Sequence, residues 1–177
     1  MNTLLVLTVI GRDRPGIVDR LSDVVALHGG SWQKSRMAKL AGQFAGVLEV
    51  AVDDRDAPRL RQALGALAGE GLTVQLADAV PPEPSVPARR LVVSVVGHDR
   101  PGIMRAMARA LAARGVNVYE LESSCAAAPM SGELMFAARA VVELPLDLGA
   151  DEVRADLEAL AGDMMVDFAV ADDVPAA

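Results

Sequence analysis

The chain has 177 residues, with 17 Lys and Arg against 24 Asp and Glu and a formal net charge of −7. Hydrophobic residues make up 52% and aromatics only 3%, so a core can be buried while a base-stacking surface for single-stranded nucleic acid is disfavoured. The acidic balance argues against a direct, phosphate-driven DNA or RNA binder, and a single cysteine, Cys125, excludes an internal disulfide framework.

Thr3 to Ile10 is nearly continuous in Leu, Val and Ile, the pattern of a central buried strand. This apolar run is about eight residues, far short of the ~20 that span a bilayer, and no basic segment or cleavage pattern surrounds it. The expectation is a soluble, cytoplasmic protein with no membrane segment. A tight polar turn follows, Gly11-Arg12-Asp13-Arg14-Pro15-Gly16-Ile17-Val18. Pro suits the first helical position and pushes the residue before it out of the helical region. Arg14 is therefore expected to be the last non-helical residue, with Asp13 capping the helix. Gly16 is expected to let another group approach the backbone.

Ile17, Leu21, Val24 and Val25 recur at helical spacing, and His28-Gly29-Gly30 ends the helix. His28 is expected to be a surface residue that complements the helix dipole. Ser31 to Leu40 and Phe44 to Val52 are predicted strands joined by Ala41-Gly42-Gln43. Alternation is imperfect in the first of them, and Trp32 is expected to pack on the sheet. Asp56 stands where it can cap a helix from Ala57-Pro58, with Leu60, Leu64 and Leu67 as its apolar stripe. Leu72 to Val80 is a last strand. The order is β-α-β-β-α-β.

Residues 81–87 hold four of the ten prolines and are predicted to be an extended linker. The pattern then returns. Leu91 to Val96 is a strand, and the turn recurs as Gly97-His98-Asp99-Arg100-Pro101-Gly102-Ile103-Met104. Ile103, Met107, Ala110 and Leu111 mark a helix ended by Gly115. Val116–Ser124 and Glu133–Leu144 are strands around a longer loop, Val153, Leu157 and Leu160 a helical stripe, and Met164–Ala171 the last strand. Matching turns, helix ends and stripes in one order indicate internal duplication. The predicted fold class is α+β: two ferredoxin-like β-α-β-β-α-β domains, each a four-stranded antiparallel sheet with two helices on one face. The predicted boundaries are 1–80 and 89–172, with a linker at 81–88 and a tail at 173–177. Each half is small for a lone domain, and its open sheet edges give a route to pairing. A homo-oligomer is expected.

No phosphate loop, zinc-peptidase motif or nucleophile elbow occurs. His28 and His98 are the only histidines, and neither lies near Cys125 in sequence. The Asp53-Asp54 and Asp172-Asp173 runs read as solvated loop ends, and the eight methionines as core. No catalytic, metal or cofactor site is expected. The duplicated turn is what remains. A helix start with small residues ahead of it suits an anion. A free amino acid carries a carboxylate for those N–H groups and an ammonium for the Asp. A well-capped strand-to-helix junction without ligand is the competing reading.

A β-α-β-β-α-β unit with Asp13-Arg14-Pro15-Gly16-Ile17-Val18 at its first turn resembles the ACT domain, a regulatory module that binds amino acids. Ser35-Arg36-Met37-Ala38 and Gly42-Gln43-Phe44 strengthen the likeness in the first half, and the resemblance covers about residues 1–80 and 89–172. It implies ligand contacts from the first turn and from the start of the second strand, commonly at an interface between two domains. Those positions are Asp13, Arg14, Pro15, Gly16, Ile17 and Ser31 in the first half. In the second they are Asp99, Arg100, Pro101, Gly102, Ile103 and Asn117, which stands for the family's second-strand Asn. The family often has Asn where Asp13 and Asp99 stand; Asp favours an ammonium over a carboxylate. The tandem arrangement is similar to the glycine cleavage repressor family. That likeness implies glycine or serine as ligand and a transcription activator protein as partner, with no direct contact to nucleic acid. The alternatives are a ligand-free oligomerisation protein and a detached regulatory module of an amino-acid or one-carbon enzyme.

Overall fold

The computed structural model describes residues 2–80, 88–129, 132–160 and 165–170. The chain divides into two compact units, Met1–Pro82 and Glu83–Ala177. Unit 1 runs β1 (Asn2–Arg12), α1 (Ile17–Leu27), β2 (Ser31–Leu40), β3 (Gln43–Asp53), α2 (Ala57–Ala66), a 3-10 turn (Leu67–Glu70) and β4 (Leu72–Asp78). Unit 2 runs β5 (Ala88–His98), α3 (Ile103–Ala113), β6 (Asn117–Ala127), β7 (Leu134–Pro145), α4 (Ala150–Leu160) and β8 (Met165–Val170). The sheets are ordered β2-β3-β1-β4 and β6-β7-β5-β8, and every pairing is antiparallel. The predicted architecture is the observed one. Ala88, placed in the linker by sequence, opens β5; the rest of the predicted linker and the tail lie outside the described residues, as do Asp172 and Asp173.

Alternation decides which face of each sheet is covered. In β1, Leu5, Leu7 and Val9 are buried, and they meet Ile17, Leu21, Val24 and Val25 of α1 and Leu60 and Leu64 of α2 in one cluster. The second cluster is separate and equivalent: Leu91, Val93 and Val95 of β5 with Ile103, Met107 and Leu111 of α3 and Val153 and Leu157 of α4. Both helices of each unit pack on the face that carries these residues, whereas the other face of the first sheet leaves Leu4, Ile10 and Val47 exposed. Trp32 is half-buried against the first cluster, as expected.

The uneven pattern of the second strand has a physical cause. Pairing with β3 shifts between Trp32 and Lys34, and pairing of β6 with β7 shifts between Val118 and Glu120. One extra residue, Gln33 or Tyr119, bulges out in each unit, and every residue beyond it changes face relative to strict alternation. Asp56 is the N-cap residue of α2, as predicted, but its side chain makes no capping hydrogen bond.

Candidate ligand site at the duplicated turn

In both units the helix starts later than Pro suggests. Gly16 has φ 88° and ψ 4°, and Gly102 φ 86° and ψ 6°. The Ile103 N–H donates to the Arg100 carbonyl at 3.2 Å. This is a type II turn with Pro at its second position and Gly at its third, where only a residue free to take positive φ fits well. The glycine then serves as N-cap: Gly16 O accepts from Arg20 N at 2.9 Å and Gly102 O from Ala106 N at 3.0 Å. Three expectations are corrected. Pro15 and Pro101 precede the helix instead of opening it. Gly16 and Gly102 are required for their dihedral angles, since a Cβ on either meets nothing within 4 Å. Asp13 and Asp99 do not cap, and neither helix start has a side-chain cap.

Both aspartates are engaged on the side of the β-hairpin. The Asp13 N–H donates to Gly42 O at 3.0 Å, and the Asp13 carboxylate pairs with Lys39. The Asp99 N–H donates to Leu134 O at 2.8 Å, and Asp99 stands beside Cys125. Local desolvation, and then the Asp99 carboxylate, hold that thiol above its ordinary range, which works against a thiolate nucleophile. Lys39 and Cys125 hold matching places, opposite Phe44 and Phe136.

The arginine of the turn is used the same way twice. Arg14 Nη2 donates to Glu70 O at 3.1 Å, and Arg100 Nη2 to Leu160 O at 2.6 Å. Each guanidinium ties the turn to the end of the unit's second helical segment. In unit 1, Arg20 reinforces the tie through Nε and Nη2 on the Glu70 carboxylate, at 2.6 to 3.1 Å. Glu70 is consequently held below the usual carboxylate range, chiefly by the Arg20 hydrogen bonds.

The second-strand candidates lie elsewhere. Asn117 Nδ2 donates to Glu143 Oε2 at 3.1 Å. Arg90 Nε donates to Glu143 Oε1 at 3.1 Å, and the Arg90 guanidinium sits 4.1 Å from the centre of the Tyr119 ring. Glu143 pairs with Arg90 near the start of β5, whereas Met135 pairs with His98 at its end. Asn117 is therefore eight residues along β7 from the turn, or about 26 Å at strand rise. Ser31, whose Oγ accepts from Gln33 Nε2 at 2.9 Å, pairs with Ala51, the partner of Leu4. It too lies at the end of the sheet away from its turn. A single unit does not bring the two sets of candidates together.

The Asn117 bond, ahead of the one from Arg90, holds the Glu143 carboxyl below the usual glutamate range; desolvation works the other way and is outweighed. A carboxyl depressed in the folded state stabilises it above the unfolded pKa, and that contribution is lost as pH falls through the folded value. Asn117→Ala is expected to move Glu143 back up toward an ordinary glutamate. Side-chain carboxyl NMR titration reads this directly; an unmoved Glu143 titration would show that Arg90 alone sets it.

Two open surface clefts stand out among the described residues. One is lined by Leu27, His28, Gly29, Asp56 and Arg59, the other by Ser94, Val96, Glu158, Met165, Val166 and Asp167. Neither includes a residue of either turn. Among the described residues no group of three or more His, Cys, Asp or Glu is arranged to hold a metal ion, and no helix is long and apolar enough to cross a membrane. Lys39, Glu70 and Glu143, which position the candidate residues, were not singled out by sequence. Their partners are distant along the chain, and only the repeat alignment of Lys39 with Cys125 offered any signal.

A ferredoxin-like βαββαβ unit made twice, each with an Asp-Arg-Pro-Gly turn leading into its first helix, defines a tandem α+β module protein. The chain belongs to the ACT-domain family, whose model matches residues 3–76 and 89–171. ACT domains are regulatory, amino-acid-binding modules. Among solved structures, the chain is similar to an unknown protein from Galdieria sulphuraria, at 29% identity and a TM-score of 0.83, over 96% of this chain and 99% of that one. It is also similar to a protein provisionally described as a glycine cleavage system transcriptional repressor, at 19% identity and a TM-score of 0.68, with the same coverage. No curated protein sequence matches the chain significantly.

Proposed function

We propose that this chain is an amino-acid-responsive regulator that binds glycine or serine at its duplicated turn and acts through a protein partner. The observation that carries this reading is the bare helix start in both units. No side chain caps α1 or α3; the Ile103 N–H closes its turn on the Arg100 carbonyl, but the N–H groups that follow in the first helical turn have no intrahelical acceptor and are open to a ligand carboxylate. Asp13 and Asp99 supply acceptors for an ammonium, Pro15, Gly16 and Ile17 with Pro101, Gly102 and Ile103 frame the two turns, and Arg14 and Arg100 hold them in place. Ser31 or Asn117 joins such a site only from a second module, which fits a homo-oligomer. The partner in this reading is a transcription activator, in line with the tandem organisation shared with the repressor-like structure. The net charge of −7 agrees with an absence of direct nucleic-acid contact. The protein works in the cytoplasm as a regulator and not as a catalyst. A coupling of ~1–3 kcal/mol between ligand and partner gives a 5- to 150-fold response.

Thermal-shift and calorimetric titration with each free amino acid tests the proposal. A true ligand at a hundred times its dissociation constant stabilises the fold by ~2.7 kcal/mol. Asp99→Ala and Asp13→Ala are expected to reduce that stabilisation while leaving the fold intact. A second reading, a ligand-free pairing scaffold, draws on the ties of Asp13 to Lys39 and of Arg14 and Arg100 to carbonyls of their own units. Silence toward every amino acid would select it.

A further inference from the structure

We propose that the cleft between the end of α1 and the start of α2 is a second binding site, for a small zwitterion with adjacent ammonium and carboxylate groups. It is independent of the turn and rests on side chains that unit 1 has and unit 2 replaces. The argument rests on what the two units do with the same place in the fold. In unit 2 the C-cap residue of α3 is Arg114. Its guanidinium donates to Asp156 at 2.7 and 3.2 Å and to Glu152 at 3.2 Å, so the helix ends are stapled together and the charges satisfy one another. In unit 1 the C-cap residue of α1 is His28. Glu152 and Asp156 are the third and seventh residues of α4; the third and seventh of α2 are Arg59 and Ala63. The staple is gone. Where it would lie there is a cleft of about 440 Å³ lined by Leu27, His28, Gly29, Asp56 and Arg59.

The chemistry left there is complementary to a zwitterion. Among the described residues Arg59 has no hydrogen-bond or ion-pair partner, and a guanidinium takes a carboxylate in bidentate fashion. The Asp56 carboxylate makes no capping bond and reaches toward the α1 end, where one of its oxygens would lie 3.6 Å from a Cβ on Gly29. It offers an acceptor for an ammonium. The His28 ring is fixed by its Nδ1–H, which donates to Val24 O at 2.9 Å, leaving Nε2 as the ring's polar atom for a ligand. Positive, negative and neutral polar groups thus line one small hollow, whereas at the corresponding place in unit 2 Arg114 is paired with Glu152 and Asp156.

With two histidines in the chain, imidazole NMR signals report the site without ambiguity. Titration of the full chain with glycine or serine is expected to shift the His28 ring signals saturably, with a concentration dependence separate from any shift of His98, which stands in the second turn beside Asp99 and reports binding there. Acetate and methylamine, each carrying half of the charge pattern, are expected to act more weakly at equal concentration. Arg59→Ala is expected to weaken the response about tenfold or more, as for the loss of one charge-assisted hydrogen bond. Asp56→Asn keeps a good N-cap residue and is expected to do the same. The shift is expected to persist in an Asp13→Asn, Asp99→Asn double variant, which separates the cleft from the turn. The proposal is overturned if His28 stays silent at ligand concentrations well above millimolar. It is equally overturned if sodium chloride or acetate moves His28 as far as glycine does, or if Arg59→Ala leaves the response unchanged. Calorimetric binding that depends on Asp13 and Asp99 with a silent His28 would leave the turn reading standing and remove this one.

Discussion

Leu60→Ala is expected to destabilise unit 1 by about 2–5 kcal/mol, the range for a fully buried Leu cut back to Ala. Leu60 has no exposed surface and stands on the inner face of α2, in one cluster with α1 and the β1 strand. Ala is the better helix former, so propensity cannot account for the loss; the cost is the apolar contact removed and the cavity left. A unit of this size buries a limited fraction of its surface, and total stabilities run to only about 5–15 kcal/mol. Denaturant titration gives the magnitude, and Gln62→Ala, on the exposed face of the same helix, is expected to stay within about 0.5 kcal/mol of the parent chain. Hydrogen exchange gives the location. The two clusters share no residue, so amides of β1, β3 and α2 are expected to lose protection while those of β5, β7 and α3 change much less. Equal loosening of both units would mean that the apolar clusters act as one core.

The same cluster logic explains how much the sequence disclosed. Leu5, Leu7 and Val9, and Ile17, Leu21, Val24 and Val25, are readable because strand and helix periods are properties of neighbours in sequence. The turn was harder because two rules compete for Pro15. Proline suits a first helical position, and Pro followed by Gly suits the middle of a type II turn. The second rule wins, since Gly16 takes φ 88° at no steric cost. Once the helix starts at Ile17, Asp13 is too far back to cap it and turns to Lys39 instead. Nothing local announces Arg14 on the Glu70 carbonyl, 56 residues away, or the single-residue bulges at Gln33 and Tyr119. The separation of Asn117 from Asp99, by contrast, follows from topology alone. β5 and β6 are both antiparallel to β7, so they run in the same direction. The first residue of β6 must then lie at the end of the sheet where β5 begins, away from the turn that β5 leads into.

Gly11→Val is expected to cost about 3 kcal/mol or more, and Gly11→Ala about 1–3 kcal/mol, as overpacking against a rigid neighbour does. A Cβ on Gly11 would sit 2.7 Å from the Gly71 carbonyl oxygen and 2.7 Å from Leu72 Cδ2. The side chain of Leu72 can rotate only within a packed core, where it is fully buried; the carbonyl is backbone and can yield only if β4 moves. Gly11 pairs with Leu72 itself, so relief pushes on the first rung of that ladder. The intrinsic gain from a β-branched residue in a strand is about 1 kcal/mol at most and does not offset the clash. Of the glycines in this motif, then, it is Gly11 that allows close backbone approach, while Gly16 supplies a dihedral angle. Displacing Gly71 also displaces Glu70, whose carbonyl and carboxylate hold Arg14 and Arg20. The substitution is therefore expected to loosen the turn as well as the sheet edge, seen as faster exchange at the start of α1. Gly69→Ala, where a Cβ meets nothing within 4 Å, is the control and is expected to be neutral or stabilising by up to about 1 kcal/mol. A Gly11→Ala chain as stable as its parent would show that β4 is free to shift, and the turn would then lack the rigid backing on which the ligand reading depends.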